Sequence, residues 1–346
     1  MSADGDRRER DAETVRLADA IKRLDGTNAL EAAAAALQAG ADPNGTSPAR
    51  PCSGTMLSDA VTFREPALVA LLLEHGADPD GAREELSILE GDCEDAEIAR
   101  LVISAGIDPR RIGTEALRRL TGAISIPEAT VPSDDFAAAR HPRPGNANPE
   151  PVSFAFWRQM IRTGLPAHMG HETFGGTERP FDLCAPVWSH RRFGMSTTAL
   201  PDGRWVQVAG EHEDWYDPDF HIYNDVAVLD GRGSVEVFLY PEDIFPPTDF
   251  HSATFAGDRL ILIGNLGYGS QRRPGVTQVL SLSLTDFSIT PVATTGEAPG
   301  WISDHDAILE GAEITVSGGR VWTGDTLAAL ETTHALSLAT NRWRKL

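Results

Sequence analysis

Lysine is almost missing from this chain. Of its 30 basic residues only Lys22 and Lys345 are lysine, 51 residues are acidic, and the formal net charge is −21. No segment reverses the sign, since residues 1–120 hold 23 acidic against 14 basic side chains and the remainder follows suit. Such a surface repels a phosphate backbone, so nucleic acid is not an expected partner. The arginine bias is that of a GC-rich, bacterial coding sequence. Cysteine is equally sparse. Cys52, Cys93 and Cys184 are odd in number and far apart, which gives neither a zinc spacing nor a disulfide framework and leaves buried thiols. Long apolar runs are also lacking. "PALVALLL" at 66–73 falls well short of the roughly 20 residues that cross a bilayer. The opening "MSADGDRRERDAET" has no apolar stretch of the secretory kind. A cytoplasmic protein with no membrane partner is expected. At 346 residues it is long enough for two domains with cores of their own.

What is present in the first third is a repeat. "GADPN" at 40–44, "GADPD" at 76–80 and "GIDPR" at 106–110 lie 36 and 30 residues apart, each after a helical stretch. In the second copy Leu68, Leu71, Leu72 and His75 share a helical face, and Gly76 supplies the left-handed residue that ends the helix. Asp78-Pro79 then forces an extended turn. "GTMLSDAV" at 54–61 opens a shorter helix. These features resemble ankyrin repeats. The family pattern Thr-Pro-Leu-His-x-Ala is matched at Thr55, Leu57 and Ala60 and departs at Met56 and Ser58. The resemblance covers 14–120, with 1–13 expected to be disordered, and implies a helical solenoid that presents a protein-binding surface.

Residues 121–152 are expected to form a linker, because six prolines fall within 126–151 without any hydrophobic period. A helical joint over 153–185 follows. Ser153 is its expected N-cap, Gly164 its stop, and Phe154, Trp157, Met160 and Ile161 its apolar stripe. His168 and His171 are an incomplete metal pair, since zinc takes three or four ligands.

The remainder, 186–346, repeats at 54 residues. Without gaps, "TTALPDGRWVQVAG" (197–210), "HSATFAGDRLILIG" (251–264) and "HDAILEGAEITVSG" (305–318) superimpose Gly203, Gly257 and Gly311, then Gly210, Gly264 and Gly318. Each reads as a hairpin turning on glycine, followed by a second pair of strands that begin at Asn224, Thr277 and Thr333. Four strands in about 54 residues is the size of a propeller blade. The units resemble kelch repeats, with the double glycine kept at Gly318-Gly319 and the late tryptophan at Trp343. The fold class expected is therefore α + β in two domains: an ankyrin-type helical solenoid, then an antiparallel β domain of about three kelch-like units. Closed propellers need roughly four to eight blades. Helix 153–163 covering an edge, two chains pairing their arcs, and a compact non-propeller domain are the three ways out.

His251 and His305 recur at one place in successive units, with Thr197 in the first, which favours a structural hydrogen bond between strands. A Ser-His-Asp triad would need its nucleophile on a strained turn, and Ser252 lies within a strand pattern. The densest set of ligand-type side chains is the insertion 210–225. His212, Glu213, Asp217, Asp219 and His221 fall there with Trp215, Tyr216 and Phe220 interleaved, and Asp249, His251, Asp304, His305 and Asp306 could converge on it. Carboxylates with imidazoles suit a divalent transition metal. Two functions are therefore expected. The first is a non-enzymatic protein-interaction scaffold without a cofactor. The alternative is a metal- or small-ligand-binding protein or an enzyme, whose metal set is His212, Glu213, Asp217, Asp219, His221, His251 and His305.

Overall fold

A computed structural model describes residues 3–22, 29–45, 54–90, 93–107, 109–122, 131–177, 185–213 and 220–346. The chain divides into two compact units, Met1–Leu120 and Thr121–Leu346. The first is helical. The second is rich in antiparallel sheets, none closed into a barrel. The expected α + β, two-part organisation holds at that level. Cys52 and Cys184 lie outside the described residues.

In the first unit, helices Ala29–Gln38, Pro66–Glu74 and Cys93–Ser104 end alike. Gly40, Gly76 and Gly106 take φ of 96°, 86° and 104°. After each, an N–H reaches back to the helix: Ala41 to the Ala36 carbonyl, Ala77 to Leu72 and Ile107 to Val102. This closure satisfies carbonyls that the helix end would otherwise strand. Ala41, Ala77 and Ile107 are buried, so each turn also anchors to the core. Successive turns are tied together. The Asn44 side chain donates to the Gly76 carbonyl at 3.1 Å and accepts from the Asp78 N–H at 2.7 Å. Thr55 caps helix Met56–Thr62 by accepting from the Ser58 N–H, and donates to the Gly81 carbonyl at 2.8 Å.

Two expectations for this unit need correction. Residues 3–13 belong to a helix running from Ala3 to Lys22, whose Leu17, Ala18 and Ile21 are buried. The helix fits the composition, since Ala, Arg and Glu are strong helix formers. His75 is exposed, and its ring contacts its own helix at the Leu71 carbonyl; Leu68, Val69 and Leu72 form the buried face.

In the second unit, the segment expected as a linker carries helix Ser133–Ala139 and strand Glu150–Val152. Asp135 on that helix accepts the N–H groups of Ala155 and Phe156, both at 2.9 Å. It thereby caps helix Ala155–Thr163 from outside, and Ser153 does not. Gly164 ends that helix at φ 59°. Trp157 lies flat on Trp188, with centroids 4.6 Å apart, and its indole N–H donates to the Ala139 carbonyl.

Three sheets follow in chain order, each built on a four-strand antiparallel meander. The first runs Ser196–Ala199, Trp205–Val208, Asp225–Leu229 and Val235–Leu239, with Glu150–Val152 added at its outer edge. The second runs Ser252–Phe255, Arg259–Ile263, Val279–Ser283 and Ile289–Pro291. The third runs Asp306–Glu310, Glu313–Ser317, His334–Ser337 and Arg342–Lys345, and Thr295–Gly296 joins its edge in parallel. Gly203, Gly257 and Gly311 hold positive φ at the three first hairpin turns, with nothing within 4 Å of a would-be Cβ.

The strand Arg259–Ile263 explains the stacking. Leu260 and Leu262 pack with Val206, Val208, Val226 and Val228 of the first sheet. Ile261 and Ile263, on the opposite face, pack with Ile314, Val316 and Leu336 of the third. The outer faces of the stack differ. On the first sheet Trp205, Gln207, Ala227, Leu229 and Val237 are buried, on the side where Asp225 accepts the Trp188 indole N–H and helix Ala155–Thr163 brings Arg162 against Gly233. The third sheet's far face carries Asp306, Glu310, Glu313, Arg342 and Arg344, with Glu313 and Arg344 paired at 2.7 Å.

Candidate functional site

The three units enter their first strands through a left-handed residue: Gly194 at φ 62°, Phe250 at 48° and Asp304 at 56°. The Phe250 N–H donates to the Gly194 carbonyl, and the Asp304 N–H to the Phe250 carbonyl. This ladder sets the true equivalence of the units. Met195, His251 and His305 correspond, as do Ser196, Ser252 and Asp306. The ungapped alignment had placed Thr197 opposite the histidines. It fails because the first hairpin has two more residues before its turn glycine than the others and one fewer after it. The glycine pair of later units, Gly318-Gly319 and Gly264-Asn265, is Ala209-Gly210 in the first, with Ala209 at φ 54°.

On this footing the two histidines make the same contact in successive units. His251 Nε2 meets Ser196 Oγ of the preceding unit at 2.8 Å, and His305 Nε2 meets Ser252 Oγ at 2.9 Å. All four side chains are buried. The structure therefore puts His251 and His305 in two successive seams between neighbouring sheets.

Within that insertion, Glu211–His212 and His221–Ile222 form a short hairpin in which His212 and His221 are opposite each other. His212 Nδ1 contacts the Arg191 carbonyl at 3.1 Å. The His221 ring stands edge-on to Tyr223, and burial, reinforced by the Arg192 charge, brings its pKa down to about 4. Glu213 is exposed. Asp217 and Asp219 lie outside the described residues. Among the described residues, no group of three or more His, Cys, Asp or Glu side chains is placed to hold a metal ion.

The chemistry that the sequence did not single out centres on Glu211. Its backbone bridges to Phe193, and its carboxyl meets that of Asp249 from the second unit. Burial first, then the Asp249 charge, push the Glu211 pKa up to about 7, with Glu213 and Asp304 adding to it. Asp249 is wholly buried and is raised by that burial, although its Oδ1 accepts the Gly267 N–H at 2.6 Å. Tyr268 borders the pair and accepts the Ile222 N–H at 2.9 Å, while Phe220 stands edge-on to its ring. Arg272 donates to the Leu266 and Gly267 carbonyls and lies over Trp322. Arg320 pairs with Asp304. Asp249 and Asp304 thus do converge on the insertion, but upon Glu211. Two carboxyls in contact share a proton at neutral pH, because both cannot ionise cheaply side by side. Arg192 is clamped between Asp225, at 2.5 Å, and the Tyr223 ring, 3.4 Å from the guanidinium carbon.

Compared with protein-family models and with curated proteins, the chain matches none.

Proposed function

We propose that this chain is a non-enzymatic interaction protein, with ankyrin-like turns in its first unit and kelch-like modules in its second. One observation carries the reading: side-chain hydrogen bonds at the repeat boundaries tie one repeat to the next. The Asn44–Gly76 and Thr55–Gly81 bonds do this among the helices, and His251–Ser196 and His305–Ser252 among the sheets. Positions outside those ties are left free to differ, which suits a scaffold whose recognition lies on its surface. The test is to recover a partner with the tagged full chain from its native host and rebuild the complex from purified components. A saturable, stoichiometric complex is expected; a recovered partner that shows no binding when purified defeats the reading.

A second reading, a divalent-metal site at the insertion, draws on His212 and His221, which lie opposite each other across the short strand pair, imidazole being a common metal ligand. It predicts stoichiometric metal in the purified protein and a melting temperature lowered by chelator. Metal-free protein with unchanged melting removes it.

A further inference from the structure

The second sheet does not treat its two neighbours alike. In the strand Val279–Ser283, Leu280 and Leu282 point to the first sheet and complete a filled core with Phe287 and Ile289. On the face turned to the third sheet the same strand places Val279, Ser281 and Ser283. Ile263, Ile314 and Val316 still join that interface, but beside Ser281 and Ala256 the sheets leave a cleft of about 270 Å³. Its walls include Ile261, Val279, Leu336 and Leu338, and its polar lining is Arg259, Ser281 and Asn341.

These three polar side chains are underused. Arg259 spends its Nε–H on Asp258 at 2.9 Å, and its terminal amino groups donate to no described residue. The Ser281 hydroxyl and the Asn341 amide likewise make no hydrogen bond to the described residues. A half-buried hydroxyl among aliphatic walls, next to a guanidinium with donors to spare, is an unusual way to leave a packing gap unfilled. It is the usual make-up of a small-ligand site: apolar walls with a few convergent donors. Arg259 is the only charged residue among the described residues that line the cleft, and its terminal amino groups, which Asp258 leaves untaken, complement an anion. At roughly 30 Å³ per heavy atom the space admits a body of about nine atoms.

We propose that this cleft binds a small apolar carboxylate, with its hydrocarbon body between the walls named above and its carboxylate on Arg259 and Asn341. The test titrates the full chain with decanoate, decanol and decylamine below their aggregation concentrations, followed by calorimetry and ligand-observed NMR. Decanoate should bind saturably and more tightly than either analogue. Arg259→Gln, an exposed position that leaves the fold intact, should weaken it about tenfold, the loss of one charge-assisted contact. Ser281→Leu fills the cleft and should abolish binding while holding or raising the melting temperature. Three results would each overturn the proposal: no saturable binding of decanoate, equal binding of decanol, or unchanged affinity in Ser281→Leu.

Discussion

Replacing Glu211 by glutamine tests the carboxyl pair most directly. Glutamine keeps the size and a donor but cannot ionise, so it mimics the protonated state at every pH. The Glu211 pKa rises from 4.5 to about 7 on folding. The folded state therefore binds this proton more tightly than the unfolded chain. The stability due to the held proton is complete below about pH 4.5, falls as pH rises through 7, and is absent above. A rise from 4.5 to about 7 corresponds to at most about 3.4 kcal/mol. Glu211 is only half-buried, and screening by solvent reduces this to roughly 1–2 kcal/mol. Glu211→Gln should thus stabilise the β-rich unit by that amount at pH 8 and leave it nearly unchanged at pH 4.5. For a unit of this size the gain at pH 8 amounts to roughly 3–6 °C in melting temperature.

The assay is thermal unfolding of full-length wild-type and variant protein across pH 4.5–8.5, with tryptophan fluorescence to follow the β-rich unit. Because Asp249 shares the proton, the midpoint of the pH profile belongs to the pair and not to one residue. Glu213 and Asp304 face the pair as further negative charges, with Arg272 as the nearby positive one, so high salt should flatten the profile. An equal offset at both pH extremes would refute the reasoning, because it would mean that shape and not charge decides. A loss of stability at pH 8 would refute it more strongly.

Two further predictions concern the stacking. His305→Ala orphans the buried Ser252 hydroxyl and opens a void in the seam, and should cost about 2–4 kcal/mol in urea denaturation, whereas His75→Ala on an exposed helix end should stay within about 0.5 kcal/mol. Gly311→Ala meets only the left-handed penalty of roughly 1–2 kcal/mol, but Gly319→Ala, whose Cβ would come within 2.4 Å of the Ser303 carbonyl oxygen, should cost clearly more; equal midpoints for the two variants would contradict the close approach.

Much of this architecture was readable, and the failures have identifiable causes. The "GADP" turns and the glycines at 203, 257 and 311 were visible because positive φ selects glycine strongly at a tight turn. The same strength misled the alignment. Anchoring on Gly203 shifted the first unit's strands, hid Met195 as the counterpart of the seam histidines, and disguised Ala209, which adopts φ 54° without being glycine. Helix Ser133–Ala139 was concealed by prolines that lie outside it, and the cap from Asp135 cannot be seen locally because it comes from another helix. Glu211 and Asp249 are 38 positions apart and interact only through the stacking of units; no local pattern marks an acid whose neighbour is another acid.

One sequence signal bears on the puzzle of three units that do not close. The central strand of the second unit, "RLILI", is apolar at four successive positions because both of its faces are covered. Its counterpart in the third, "EITVS", alternates, as a strand does when one face meets solvent. In the first unit "WVQV" is buried throughout, yet only Val206 and Val208 face the second sheet; Trp205 and Gln207 face the side of the helices. Read in order, the three strands describe a stack with a beginning and an end: covered by helices, packed on both sides, then open and charged. The edges are managed too. Asn148 gives and takes a hydrogen bond at the backbone of Ile289, occupying the outer edge of the second sheet. Pairing two such arcs into a ring would require a second chain to cover Glu313, Arg342 and Arg344, and desolvating those charges opposes the step. Termination at both ends, not closure, is what makes three units sufficient.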